Sequence, residues 1–282
     1  MSETKITILK SSWSDNRGLG AVIFALLANL MERKNDEIFY LSLENLFYSN
    51  TRNFWDKAFF QPFEESISII QKKINSNKTN SKKIFLNNFN YEKLHKKGNF
   101  EEVKKLFKKF VKPKKDLDEF FFNNYHELFK KNKVASLHIR GNAMFSTAHA
   151  ANQSDKISYK SYIKPLIKKI LGKGFQKIIL CTIDDNFRKQ IINDFSDKII
   201  YIEQNLPKNR MHPSYDPLEE IIYESEQFKN QLILDPIIEA FIMSKAIYSY
   251  YMRSNVSYMS ILYRGDFKYE FIDDHIDYSR YG

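Results

Sequence analysis

The sequence predicts an α/β protein whose strands run parallel in doubly wound sheets. Three observations carry that expectation. Short β-rich runs alternate with helix-length segments through the second half of the chain, which is the pattern of parallel strands joined by crossover helices. The chain opens with the strand-like KITILK, a glycine-bearing loop SSWSDNRGLG, and an apolar helix, as a Rossmann-like unit opens. With 282 residues and 43% hydrophobic content, it is long enough to bury two cores.

Taken in order, residues 5–10 read as the first strand, 20–33 as the first helix and 37–43 (EIFYLSL) as the second strand. The aromatic segment NFWDKAFFQPF at 53–63 and a helix after it lead to a lysine- and asparagine-rich loop at 78–83, and 83–87 reads as another strand. Helices are expected over 91–111 and 116–131, parted by Pro113. The domain boundary is placed there, giving an N-terminal half of 1–131 and a C-terminal half of 132–282. The second half then reads as a strand at 134–139, a helix at 159–171 ended by Gly172 and Gly174, and a strand at 177–183. A helix at 186–195, a strand at 198–202, a helix at 236–243, a strand at 246–252 and a helix at 255–262 follow. There is no internal repeat.

Composition narrows the function classes. Lys and Arg number 44 against 34 Asp and Glu, a net charge of +10. Nucleic acid, an anionic membrane surface and an anionic substrate all fit that excess. Much of it is lysine in KK pairs spread through an Asn- and Ile-rich background, and there is no zinc-finger spacing, basic heptad region or RNP-like aromatic motif. Nucleic acid is therefore not the expected partner. The single cysteine, Cys181, excludes an intrachain disulfide and a cysteine-based metal site. No run of about eighteen apolar residues is present, and the N-terminus lacks the apolar core of a signal peptide. The expected location is cytoplasmic.

The stretch KVASLHIRGNAMFSTAHA, from Lys133, holds the densest chemistry. Residues two apart on a strand share a face, so His138 and Arg140 point the same way at the strand's carboxyl end. Ligands of open α/β sheets bind beyond that end. A guanidinium forks onto phosphate oxygens, and a histidine adds a donor beside it. Read without a ligand, Arg140 is a surface residue at a strand end and His138 a satisfied core group; the pattern alone weighs both readings about equally.

LHIRGN, followed by AHA, resembles the first motif of the α1,2-, α1,6- and protein O-fucosyltransferases, usually His-x-Arg-Arg before Gly, Asn or Asp. The Gly-Asn after the arginine is nearest to the branch acting on nodulation factors. LCTIDDNFRKQIINDF is similar to the family's strand, paired-acid and helix segment. EAFIMSKAIYSYYMRSNVSYMSIL is similar to its helix, strand and Ser-rich turn, and DNRGLGAVIFALLANLM to its Gly-rich first loop with Gly18 and Gly20. The resemblance implies a GT-B-type glycosyltransferase, with two Rossmann-like domains facing a cleft, that transfers fucose from GDP-fucose with inversion. It implies Arg140 on the β-phosphate, His138 lining the nucleotide pocket, and Ser254, Asn255 and Ser257 offering donors to the diphosphate. It also places Asp184 and Asp185 near the ribose or base. As plain structure, Ser254 or Asn255 caps one helix and Asp185 or Asn186 another. Two departures stand out. Gly141 occupies the second arginine's place, leaving Asn142 or another basic residue to stand in, and no acid lies near Ala246 or Ile247, where the α1,6 relatives read guanine. Glu239 is the substitute.

Transfer with inversion requires stabilising the departing diphosphate and positioning an acceptor hydroxyl. Arg140 with helix-terminus donors can stabilise the diphosphate without a metal, so neither metal nor cofactor is expected. His149, Asp15 and Glu239 are the candidates for the general base, and residues 144–158 read either as a flap or as an exposed loop. Phe54, Trp55, Phe59 and Phe60 read as core in preference to a sugar platform. The expected partners are a nucleotide sugar, a bacterial surface glycan or glycolipid acceptor, and a peripheral contact with an anionic membrane. Two alternatives stay open. One is a non-catalytic basic module, a degraded nucleotide-sugar fold holding an anionic glycan or nucleic acid; the other is the same enzyme class with a different nucleotide sugar.

Overall fold

The computed structural model describes residues 5–11, 19–43, 53–63, 68, 70–72, 76, 79–83, 97–139, 158–182, 184–202 and 226–273. The chain forms two compact units, Met1–Asp116 with Leu218–Pro236, and Leu117–Pro217 with Ile237–Gly282. Each contains one parallel sheet among the described residues.

In the first unit, β1 (Lys5–Ser11) is followed by α1 (Leu19–Met31), β2 (Glu37–Leu43), the short α2 (Trp55–Ala58), β3 (Asn80–Lys83) and α3 (Lys97–Phe110). The sheet order is β2-β1-β3. β1 pairs with β2 from Lys5↔Glu37 to Ser11↔Leu43 and with β3 from Thr7↔Asn80 to Lys10↔Lys83. The third strand was expected at 83–87. Of that span only Lys83 is described, and it ends a strand on NSKK, where the second edge of β1 supplies hydrogen-bond partners that this polar run would not find by propensity alone; 84–87 lie outside the described residues. α1 is apolar on nearly every side and buried throughout its length. Gly20, assigned by sequence to the first loop, lies buried in its first turn.

The outer edge of β2 is closed by side chains. Asn53 Oδ1 accepts from the Leu43 N–H at 3.1 Å, and its amide donates to the Leu41 carbonyl at 2.8 Å. Gln61 accepts from the Leu41 N–H at 2.9 Å and donates to the Leu41 carbonyl at 3.0 Å. Asp56 ties both amides together, at 2.7 and 2.6 Å. Two side-chain amides thus complete the backbone pairing of an edge strand, one of the ways native sheets avoid joining other chains. Between them, Phe54, Trp55 and Phe59 are at most 1% exposed, the core role expected of them, while Phe60 is 37% exposed.

The second unit contains α4 (Leu117–Asn124), α5 (His126–Lys131), β4 (Val134–Ile139), a π-helical turn (Tyr159–Ile163) leading into α6 (Lys164–Gly172), and β5 (Lys177–Thr182). α7 (Asp185–Phe195), β6 (Ile199–Tyr201), α8 (Glu226–Ser244, of which Glu226–Pro236 belongs to the first unit), β7 (Tyr248–Tyr251), α9 (Asn255–Arg264) and β8 (Tyr269–Phe271) follow. The five strands run parallel in the order β6-β5-β4-β7-β8. β4 is buried at every residue, as strands covered on both faces are. Ala135, Leu137, Ile139, Ile178 and Leu180 face one core with the π turn, α6 and α7.

Four elements differ from expectation. The single helix expected over 116–131 divides at Tyr125 into α4 and α5. The helix expected at 159–171 opens with a wide turn, in which the Ile163 N–H donates to the Ser158 carbonyl at 3.3 Å. Pro165 lies just inside α6 and has no N–H to give a regular first turn. α8 starts well before Pro236 and contains it; burial of Leu232 and Ile233 before the proline, and of Ile237 and Ala240 after it, makes one continuous helix worth the missing bond. β7 starts later than expected because Arg264 takes the Ala246 and Ile247 carbonyls, at 2.7 and 3.0 Å. The edge strand β8 has no counterpart in the sequence reading.

Candidate functional site

The order β6-β5-β4-β7-β8 reverses direction at β4. From β4 the chain builds outward through β5 and β6, then returns to the other side for β7 and β8. In open α/β sheets the crevice beyond the carboxyl ends at such a reversal is where ligands bind. That point lies between β4 and β7, where His138 pairs in register with Tyr251.

Two polar segments meet there. The Met252 N–H donates to the His138 carbonyl at 3.1 Å, prolonging the pairing by one residue. The His138 ring is 6% exposed. Its Nδ1 lies 3.2 Å from the Met252 carbonyl oxygen, so Nδ1 carries the proton and donates. Nε2 then faces Ser254 Oγ at 3.5 Å. Ser254 caps α9: its Oγ accepts from the Ser257 N–H at 3.0 Å, and Ser257 Oγ accepts from the Ser254 N–H at 2.9 Å. This reciprocal capping box fixes the helix end whose dipole favours anions.

Sequence reasoning missed the next layer. Asp273, just beyond β8, has no exposed surface. It accepts from the Arg253 N–H at 2.7 Å and from the Arg253 guanidinium at 3.2 Å. That guanidinium lies 4.6 Å from the Phe271 ring centroid, a cation–π distance. Met252, Arg253 and Ser254 are therefore held from three sides, by His138, Asp273 and Ser257. The signal available in the sequence was an Arg directly before the SNVS turn and an Asp after YEFI, but nothing in their spacing pairs them.

Glu239 also comes to this face. α8 runs back from the carboxyl ends to the start of β7, and the Met243 carbonyl lies against Ser136 and Ser249, at 3.5 and 3.4 Å from their hydroxyl oxygens. The structure places the Glu239 charge within reach of Cys181 on β5, the register partner of His138. Glu239 is 4% exposed. Burial first, and then the Glu239 charge, push the Cys181 thiol well above its ordinary range.

The paired acids divide their work. Asp184 is the N-cap of α7, its Oδ1 accepting from the Asn186 and Phe187 N–H groups at 3.0 Å each. The cap is thus Asp184, not Asp185 or Asn186. Asp185 pairs with Arg188 and, at 3.9 Å, with Lys189. Arg188 lies 5.0 Å from the Tyr201 ring centroid, and the Tyr201 hydroxyl is raised mainly by burial. Both acids lie beyond the carboxyl end of β5, one strand from His138.

The structure thus brings His138, Ser254, Asn255 and Ser257 to the β4–β7 reversal, with Asp184 and Asp185 beyond β5 and Glu239 acting on Cys181 of β5. Arg140, Asn142, His149, Asp15 and Gly18 lie outside the described residues, as do 144–157 of the segment expected as a flap or loop. Among the described residues no three His, Cys, Asp or Glu side chains converge as a metal site would require.

No protein-family model matches the chain, and no curated protein matches it in sequence. Solved structures do. The fucosyltransferase NodZ from Bradyrhizobium superposes with a TM-score of 0.50 at 12% identity, over 92% of both chains. NodZ alpha-1,6-fucosyltransferase soaked with GDP-fucose gives 0.52 at 10% identity, over 93% of this chain and 92% of that one. The same enzyme co-crystallised with GDP gives 0.52 at 10%, over 92% of both. At this identity the likeness is one of fold, and it extends along nearly the whole chain. The protein is similar in fold to the NodZ alpha-1,6-fucosyltransferase.

Proposed function

We propose that the protein is an inverting glycosyltransferase that moves L-fucose from GDP-fucose to a hydroxyl of a glycan or glycolipid, its two units forming the two halves of a GT-B enzyme. One observation carries the reading. The two segments that resemble fucosyltransferase motifs, LHIRGN and RSNVS, are far apart in sequence, yet they meet through His138 and Ser254 at the point where the sheet order reverses. Structures sharing this fold were obtained with GDP-fucose and with GDP, which supports a guanosine diphosphate sugar as the donor class.

In this proposal Arg140 and the first turn of α9 take the charge that builds on the departing diphosphate, which is the main demand of the reaction. His138 orients the Ser254 hydroxyl. Glu239 is the acceptor for the donor base, in place of the acid missing near Ala246. Asp184 or Asp185 addresses the ribose, and Asn142 stands in for the second arginine of relatives, whose place Gly141 occupies. His149 and Asp15 are the general-base candidates. A guanidinium and a helix dipole meet the charge demand by themselves, so turnover without a divalent metal is part of the proposal.

The test is a GDP, UDP and CDP titration of wild type and of Arg140→Ala, with circular dichroism as the folding control. A charge-assisted hydrogen bond contributes about 1.5–3 kcal/mol, so Arg140→Ala should weaken GDP binding by roughly 10- to 150-fold. Equal GDP affinity in two folded proteins removes Arg140 from the site. Tighter UDP or CDP binding removes GDP-fucose as donor while leaving the fold in place. Turnover should survive EDTA, and a loss restored by magnesium or manganese overturns the metal-free mechanism.

A further inference from the structure

We propose that the outward face of α3 and the chain leaving it form a docking surface for an anionic lipid membrane. This surface lies wholly in the first unit and does not depend on the sugar-transfer reading.

The residues are Lys104, Lys105, Lys108, Lys109, Lys112, Lys114 and Lys115, with no acid anywhere between the first and the last. α3 buries Phe100, Val103, Phe107 and Phe110, an i, i+3, i+7, i+10 stripe that turns the rest of the helix outward. Lys105, Lys108, Lys109, Lys112 and Lys114 are exposed. Ordinary helix chemistry explains part of this. Lys104 pairs with Glu101 at 3.4 Å, and Lys108 and Lys109 lie in the last turn, where cations offset the helix dipole. Lys105, Lys112 and Lys114 exceed that need.

The second observation is the aromatic ring set among them. The Phe60 N–H donates to the Lys112 carbonyl at 2.9 Å, and Phe59 bridges to Pro113. The Lys114 ammonium donates to the Asp56 carbonyl and lies 5.9 Å from the Phe60 ring centroid. Backbone hydrogen bonds therefore hold an exposed ring beside the lysines, although Phe54, Trp55 and Phe59 are fully packed. Lysine heads over lipid phosphates, with an aromatic ring at headgroup depth, are the chemistry of an anionic membrane interface. A single-stranded nucleic acid fits less well, because one convex helix face offers no groove for a backbone and one ring offers no stack for successive bases.

The experiment is flotation of the full chain with vesicles of phosphatidylcholine alone, or with about one-third phosphatidylglycerol. Binding is expected to the anionic vesicles only, and to fall steeply with salt. The variant Lys105→Glu, Lys108→Glu, Lys112→Glu should lose well over roughly 100-fold in partitioning, because removing three lysines at about 5-fold each already gives that loss and the new carboxylates add repulsion. The control variant Lys160→Glu, Lys168→Glu, Lys169→Glu has the same net charge and should bind like wild type. Phe60→Ser should weaken binding at constant charge. If the glutamate variant unfolds, the matching Lys→Gln variant should show an intermediate loss. Equal binding to neutral vesicles, equal loss in the control, or oligonucleotides that displace the protein from vesicles would each overturn the proposal.

Discussion

Asp273 takes two hydrogen bonds from Arg253, one from its backbone and one from its guanidinium. Asp273→Ala removes both acceptors beneath a partly buried arginine, a loss of about 1–3 kcal/mol. The thermal midpoint should fall by roughly 2–12 °C, and GDP affinity should fall with it, because Arg253 is next to Ser254. Asp273→Asn keeps an oxygen for the Arg253 N–H and should recover most of the nucleotide affinity. A lower midpoint with unchanged affinity would reduce Asp273 to a purely structural clamp. Cys181 is the second residue with a sharp expectation. It is fully buried, and its thiol is pushed up by burial and by Glu239. It should react with a thiol reagent only when the protein unfolds. The sign with pH follows: above the ordinary thiol range, about 8.5, the unfolded chain releases this proton and the folded chain keeps it. Stability should therefore fall as pH rises through that range, and Cys181→Ala should flatten the slope. Prompt labelling of the native protein would contradict the burial. His138, Ser254 and Ser257 were legible as site candidates because each is part of a short local pattern. Asp273 was not, since its partner Arg253 is reached only across β8.

At the level of elements, α9 shows how one cap can serve two ends. Ser254→Ala removes the reciprocal bond with Ser257 and should cost about 0.5–2 kcal/mol of stability. In the proposed function it also removes the hydroxyl facing His138, so GDP affinity should drop, whereas Ser254→Thr keeps a hydroxyl and should restore both properties. Restored stability without restored affinity would separate the cap from the site. The elements read correctly from sequence are those with strong internal patterning. The spans of β2 and β4 agree with the sequence reading, and α1, β5, α7 and α9 agree within two residues at each end. Those misread depend on partners elsewhere. NSKK becomes β3 because β1 needs a neighbour. α8 passes through Pro236 because both of its halves are buried. Arg264, on the helix after β7, sets where β7 begins.

For the whole molecule, a ligand that binds only the folded state raises its stability by mass action. At a hundredfold excess over its Kd, GDP should add about 2.7 kcal/mol, which is roughly 5–10 °C in midpoint for a chain of this size class. UDP and CDP at the same concentration should add less. No shift with any nucleotide would favour the basic binding module over the enzyme. By itself the sequence determined the α/β class, the parallel strands and the short motifs at their carboxyl ends, because alternation, apolar runs and caps are local and each residue reports on its own neighbours. It did not determine the order of the strands. That order puts β7 beside β4 and so brings Ser254 to His138, 116 residues away, with Asp273 behind Arg253. Only the tertiary structure decided those contacts, because which strand takes the open edge of β4 depends on how every crossover helix buries its apolar face, and no single stretch of the sequence carries that sum.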